Sequence, residues 1–327
     1  MSMSVARFRL RLTWTPSLPT TFSAYAAKVE SKEEKRGSKV RRSLLGLLGM
    51  GFRIVKWDGR TPHPSVDCNG RIIAVLVGQP DHPEYRATAN LTFEAIRDAS
   101  RNTHFPAAMH KHCRGLFAAV NVSLSYGKGQ SISCWLNNKE YTGLVEGLLA
   151  NANIERLAVF ADAAFALWAP HLYQYYCTSV FFCVALNFGR NVWTFKHCDV
   201  LNLAFGWCAV HALRHYNATL GGHLVLWDLK LVIEFPHGAL ILLPSATITH
   251  LNIPVQEGEE RVSFTQFSAG GIFRYVNNGC KAVEGLEQAD PGEYEQVMAR
   301  MASRWREGLN LLGTVDELVT PEELISS

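Results

Sequence analysis

The residues best placed to do chemistry are a triplet, His197-Cys198-Asp199, followed at a distance by His250 and then by Arg261. His-x-Asp with a second, remote His is the ligand set of a non-haem Fe(II) site, in which two imidazoles and one carboxylate hold one face of the ion. The opposite face stays open for a chelating co-substrate and for dioxygen. An arginine soon after the second His can pair bidentately with the far carboxylate of 2-oxoglutarate. Along residues 261–267 alternate side chains share a face, so Arg261, Ser263 and Thr265 project together, opposite Val262, Phe264 and Gln266. A hydrogen bond to a charged group contributes about 1.5–3 kcal/mol, enough to orient a dicarboxylate. The competing reading of Arg261 is a surface side chain paired with Glu259 or Glu260.

The triplet carries little information alone. With 12 His and 29 acidic residues in 327, roughly one His-x-Asp/Glu arises by chance, the counting that every motif match needs. Two occur. The other, His82-Pro83-Glu84, sits in the turn-rich run Gly78-Gln79-Pro80-Asp81 and is read as a loop. Context separates the two. His197 follows the strand-like runs 181–188 and 192–195, and short apolar runs at 224–227, 231–235, 239–243, 246–253 and 261–267 come after it, parted by Gly and Pro. Many short strands at close spacing argue for a sandwich or barrel. The expected fold is therefore α+β, a double-stranded β-helix (jelly-roll) core buttressed by helices. Such a core can carry His-x-Asp early and a second His and an Arg on late strands, all directed at one mouth. Cys198, between two proposed ligands, should face away from the metal.

Around that core the pattern predicts helices over 84–101, with Leu91, Ala95, Ile96 and Ala99 on one side, over 139–150 and 153–168, and over 290–310. The last opens with Asp290 as N-cap and Pro291 in the first turn and carries the stripe Val297, Met298, Met301, Trp305 and Leu309, read as core packing. Leu44 to Met50 is too short to span a membrane and reads as a core entry segment. The expected organisation is a basic arm, residues 1–43, and one domain, residues 44–327.

Net charge is +3 but uneven. Residues 1–60 hold 13 Lys+Arg against 4 Asp+Glu, and the remainder is net acidic. A cationic arm on a near-neutral body fits attraction to phosphate; a solvated tail and an Arg-rich leader are the other readings. Eight cysteines, with no Cys-x-x-Cys pair, point to reduced thiols in an intracellular protein. Among the remaining histidines, His211 and His215 could line a substrate mouth, while His223 and His237 are expected at the surface. Asn187 and Arg190 lie one strand before the triplet, within reach of a co-substrate or a DNA backbone.

Gly221-Gly222-His223-Leu224-Val225-Leu226-Trp227, the Gly238 turn, Leu243-Pro244-Ser245-Ala246, His250, Gly258, Arg261-Val262-Ser263 and Gln266-Phe267 resemble the core of the 2-oxoglutarate and Fe(II)-dependent oxygenases. The stretches Asn202 to Cys208 and Leu124 to Gln130 resemble the TET/JBP family in its fungal branch, with the likeness running from about Gly51 to Val276. The resemblance implies oxidation of methyl groups on DNA bases, 5-methylcytosine to 5-hydroxymethylcytosine and further oxidised forms. N6-methyladenine is the alternative base. It implies Fe(II) on His197, Asp199 and His250, and 2-oxoglutarate on Arg261 with Ser263 assisting. Tyr126, Gly127, Lys128 and Gln130 would contact DNA or the base, joined by Arg190 and His211. The expected partner is double-stranded DNA with methylated bases, with dioxygen as co-substrate, no membrane, a monomer, and a nuclear location. Rival readings are a hydroxylase of protein or small molecules, and a non-catalytic barrel that binds DNA or a partner.

Overall fold

In a computed structural model, the described residues are 8–9, 20–29, 39–126, 132–176, 180–280 and 286–318. The strands are β1 Phe8–Arg9, β2 Arg53–Val55, β3 His63–Val66, β4 Ile72–Gly78, β5 Ala118–Ser125, β6 Cys134–Trp135, β7 Cys183–Phe188, β8 Cys208–Leu213, β9 Leu224–Leu226, β10 Leu231–Ile233, β11 Leu240–Leu243, β12 His250–Asn252 and β13 Val262–Phe267. The helices are α1 Leu44–Gly49, α2 Pro83–Arg101, α3 Thr142–Leu149, α4 Ala152–Trp168, α5 Pro170–Tyr176, α6 Gly270–Asn277, α7 Leu286–Ala289, α8 Pro291–Asn310 and α9 Val315–Leu318. Among the described residues no helix is long and apolar enough to cross a membrane.

Two sheets form. The larger runs β1-β3-β4-β11-β8-β13-β7-β5-β6 and the smaller β12-β9-β10-β2. Pairing is antiparallel except for β1 with β3 and β2 with β10. Helices and largely antiparallel sheets in one chain make the architecture α+β.

The period of two along each strand sorts the side chains. On the large sheet Val262, Phe264, Leu213, Leu186, Phe188 and Val120 share a core with Phe93, Ile96, Ile154 and Leu157 of α2 and α4. That face belongs to the helices. The other face carries Arg261, Ser263, Ala212 and Asn187, aligned across β13, β8 and β7. On the small sheet Val225, Val232 and Leu251 pack with Leu47 of α1 and with Phe52. Their neighbours Leu224, Leu226, Leu231 and Ile233 share a core with Ile73, Val75, Ile241 and Leu243 of the large sheet. The two sheets therefore enclose a common interior. His250 and Asn252 alternate with Leu251 on β12, and so turn inward.

Several local expectations change. His82-Pro83-Glu84 is the start of α2: the His82 ring accepts from the Glu84 amide and Pro83 fills the first turn. The buried side of α2 is Tyr85, Ala89, Phe93 and Ile96, while Leu91 is 52% exposed. The apolar spacing on this helix admits two stripes, and packing against α4 selects the aromatic one. Residues 192–195 form no regular strand but an extended segment held by single bridges. The C-terminal helix matches its signal, with the Asp290 carboxylate accepting from the Glu293 amide and Val297, Met301, Trp305 and Leu309 buried. Part of the expected arm is docked. The Ala27 amide donates to the Val200 carbonyl at 2.9 Å, Arg304 of α8 stacks on the Tyr25 ring at 3.9 Å, and its Nη1 donates to the Ser23 carbonyl.

Candidate metal and co-substrate site

The segment 191–199 assembles the site. It is pinned at Asn191 beside Arg261, at Thr194 beside Gly115 and Asn252, and at His197 beside His250. His197 and His250 exchange both backbone hydrogen bonds, at 3.0 and 2.9 Å, which places their rings side by side with centroids 4.3 Å apart. Asp199, two residues on, lands on the same side, anchored by its amide on the Ser245 carbonyl at 2.9 Å. The ligand-capable atoms of the three side chains all lie within 4.8 Å of one another. His197 Nε2 is 3.8 Å from one Asp199 oxygen and His250 Nε2 is 3.9 Å from the other.

Each ring is held in one orientation. His197 Nδ1 donates to the Phe195 carbonyl at 2.7 Å and His250 Nδ1 to the Ile248 carbonyl at 2.9 Å. Carbonyls accept only, so each Nδ1 carries a proton and each Nε2 is the atom turned toward the carboxylate. The Asp199 carboxylate is hydrogen-bonded by Ser245, whose Oγ also accepts from Asn202 Nδ2 at 3.0 Å. Burial, then the neighbouring His250, pushes the His197 imidazole well below its ordinary range. Burial alone would raise the Asp199 carboxyl, but His197, His250 and Arg114 together hold it below its usual value. A neutral His197 imidazole beside an ionised carboxylate is the protonation state that binds a divalent cation. The histidine side chains are 10% exposed and that of Asp199 22%, so the site opens on the Asp199 side. A cavity of about 430 Å³ meets it there, lined by Lys111, Arg114, Asn121, Asn202 and Phe267 among others. Cys198 turns its sulfur toward the Thr249 hydroxyl.

Arg261 lies at the other end of the same segment. It is 1% exposed, and its Nη1 donates to the Val192 carbonyl at 2.9 Å. Its guanidinium lies 5.8 Å from the Phe235 ring centroid. Nε and Nη2 are buried without a hydrogen bond of normal geometry among the described residues, and the Tyr216 hydroxyl lies nearby. Two orphaned charged donors cost free energy unless an anion completes them. Glu259 and Glu260, the partners of the competing reading, are engaged elsewhere: Glu259 accepts from the Asn217 and Gln256 amides, and Glu260 pairs with Arg190 at 2.9 Å. Beside Arg261, Asn187 Nδ2 donates to Ser263 Oγ at 3.1 Å, and the Asn187 Oδ1 is buried without a partner. A two-His, one-carboxylate face with an arginine poised to accept a carboxylate fits Fe(II) and 2-oxoglutarate.

The other expected site residues fall differently. Arg190 is 81% exposed, in its pair with Glu260. Tyr126 packs on Tyr275 with centroids 4.5 Å apart and lies under Arg274. Gly127, Lys128 and Gln130 lie outside the described residues. His211 does not line a mouth. It is fully buried on the helix-facing side of β8, beside Phe160 and Phe264, and burial pushes its imidazole down to about 3. His223 is not at the surface either, being fully buried with its imidazole lowered to about 4. His237 is partly buried, accepting from the Arg214 amide and pairing with Asn90. Sequence reasoning gave no role to Arg114 or Ser245. Ser245 stood in a recognised run, whereas Arg114 is brought to the site by tertiary pairing alone, its carbonyl accepting from the Phe195 amide.

No family model matches the sequence, and no curated protein matches it. Solved structures show some likeness, among them the following three. NgTET1 in complex with 5mC DNA is 14% identical over 67% of this chain and 83% of that one, with a TM-score of 0.37. An oxidoreductase of the 2OG-Fe(II) oxygenase family from Burkholderia pseudomallei is 15% identical over 59% and 92%, at 0.33. The viral collagen prolyl hydroxylase of Paramecium Bursaria Chlorella virus-1, in its 2OG complex, is 14% identical over 43% and 80%, at 0.23. Likeness at this level leaves the assignment to the residues themselves.

Proposed function

We propose that this chain is an Fe(II)- and 2-oxoglutarate-dependent oxygenase of the TET/JBP kind, built on a double-stranded β-helix, that oxidises the methyl group of 5-methylcytosine in DNA to hydroxymethyl and further oxidised forms. The observation that carries the oxygenase reading is the pairing of the His197–Asp199–His250 face with the buried, unpartnered donors of Arg261. His197 and His250 would hold the iron through Nε2 and Asp199 through its carboxylate. Arg261 would receive the far carboxylate of 2-oxoglutarate, with Ser263 and Asn187 beside it. With dioxygen, such a centre supplies the oxidation of an unactivated C–H bond coupled to decarboxylation of the co-substrate. The Nδ1 hydrogen bonds keep both rings aimed, so metal binding costs little reorganisation. The opening at Asp199 gives the methyl group its path.

A DNA substrate is supported by charge. Besides the basic N-terminal sequence, Arg42, Lys196 and Lys230 all lie within 5.6 Å of the Trp227 ring centroid, on the flank of the strand segment that carries His197. Such an aromatic and cationic cluster suits phosphate contact. A base inside a duplex cannot reach a part-buried centre, so the target must leave the stack, at a cost of a few kcal/mol. A nuclear location belongs to the same reading.

The test is nucleoside mass spectrometry of duplex DNA carrying 5-methylcytosine or N6-methyladenine after incubation with protein, Fe(II), ascorbate and 2-oxoglutarate, with His197→Ala alongside. Oxidised cytosine supports the proposal. Loss of N6-methyladenine with formaldehyde release moves the base and keeps the chemistry. No change in either base, from protein that holds iron and consumes 2-oxoglutarate, refutes the DNA substrate. Protein that holds no iron is a binding barrel.

A further inference from the structure

The cavity at Asp199 does not end there. A second one, of about 440 Å³, shares Asn121, Leu201, Asn202 and Phe267 with it. Each falls in the ~300–1,000 Å³ range of small-molecule sites, so the pair holds more than one base. The far cavity ends at Arg274 and Tyr126, and its outer wall is the docked segment of Thr21, Ser23 and Tyr25. That wall is built in. The Ala27 amide bonds Val200, next to Asp199, and a Cβ at Gly270 would fall 1.5 Å from the Tyr25 carbonyl oxygen, so only glycine admits it. The charges along the lining are one-sided. Lys111 and Arg114 stand at the near end and Arg274 at the far end, and Asp199 is the single acid lining either cavity among the described residues. Arg274 lies 5.7 Å over the Tyr126 ring, which leaves the edge of its guanidinium for an oxyanion, and no described carboxylate pairs with it.

We propose that the two cavities form one trough, in which the reacting base takes the Asp199 end and a phosphodiester of the same strand takes the Arg274 end, held by the Arg274 guanidinium. This rests on the nucleic-acid reading above and adds a subsite to it. Arg274 is thus a substrate-positioning residue, and residues 20–27 are part of the substrate site.

The test needs no turnover. Single-stranded tetranucleotides with ordinary phosphodiesters, or with neutral methylphosphonates, are titrated into the full chain with Mn(II) and 2-oxoglutarate without oxygen. The wild type should favour the anionic strand by about tenfold or more. Arg274→Gln should bring that preference to within about threefold, and Arg274→Lys should keep most of it. A preference unchanged in Arg274→Gln, or absent from the wild type, overturns the trough. If the preference depends on Arg274 yet methylated DNA stays unoxidised, the subsite stands and the proposed reaction falls. If DNA is oxidised and Arg274→Gln binds like the wild type, the reverse holds.

Discussion

Arg261 offers the most discriminating perturbation, because its substitution should move stability and co-substrate affinity in opposite directions. In the protein without 2-oxoglutarate it keeps a charge at 1% exposure with two donors unpaired and one bond, to the Val192 carbonyl. A buried donor without a partner costs about 1–3 kcal/mol. Arg261→Met keeps the length and apolar contact with Phe235 while removing the charge and both unpaired donors, so the protein without co-substrate should become more stable by about 2–6 kcal/mol, less about 1–3 kcal/mol for the buried Val192 carbonyl left without its donor. With 2-oxoglutarate the sign reverses. Losing one charged hydrogen bond of about 1.5–3 kcal/mol weakens its affinity roughly 10- to 150-fold, and losing a bidentate pair weakens it further. Thermal melts of both proteins with Mn(II), across a 2-oxoglutarate titration, read both effects. The wild type should gain melting temperature steadily above its Kd, and Arg261→Met should start higher and rise only at far greater concentration. Equal 2-oxoglutarate dependence in the two proteins refutes the assignment of Arg261, and with it the identity of the co-substrate.

Three further outcomes are expected. Asp199→Ala should remove iron from the reconstituted protein, measured by elemental analysis, and with it all 2-oxoglutarate consumption, since two imidazoles alone leave the face incomplete. His211 and His223 sit buried with imidazoles lowered to about 3 and about 4 from 6.5, so the unfolded chain binds their protons first. Stability should be flat above pH 6.5 and fall as pH drops from 6.5 toward 4, by up to about 1.4 kcal/mol per pH unit for each histidine. Urea midpoints of His211→Phe against wild type at pH 7 and pH 5 should show a shallower loss in the variant, and an equal loss would count against burial of the neutral ring. Gly270→Ala should dislodge residues 20–27 from α6 and Val200, read as faster proteolytic cleavage before residue 39 with the remaining core intact.

Much of the site was legible in the chain because its chemistry is local in two places. His-x-Asp puts two ligands on one side of an extended segment by strand period alone, and Arg261 and Ser263 share a face for the same reason. The strand runs from Leu224 to Phe267 and the capped helix at Asp290 could be read from composition and turn residues. Tertiary structure decided the rest. Periodicity says that His211 and Ser263 lie on opposite faces of their strands only once the register of β8 with β13 is known, and that register sends His211 to the helices and Ser263 to the interior. Turn residues around His223 signalled exposure, yet the packing of its neighbours closes over it. Nothing near residue 114 announces that Arg114 stands by the iron ligands, or that Ala27 meets Val200, because both depend on segments far apart in sequence pairing through backbone groups that every residue carries. The sequence by itself determined which atoms could bind a metal; only the folded sheets decided that Arg261 would be buried with its donors unmet, which is what the proposed co-substrate would complete.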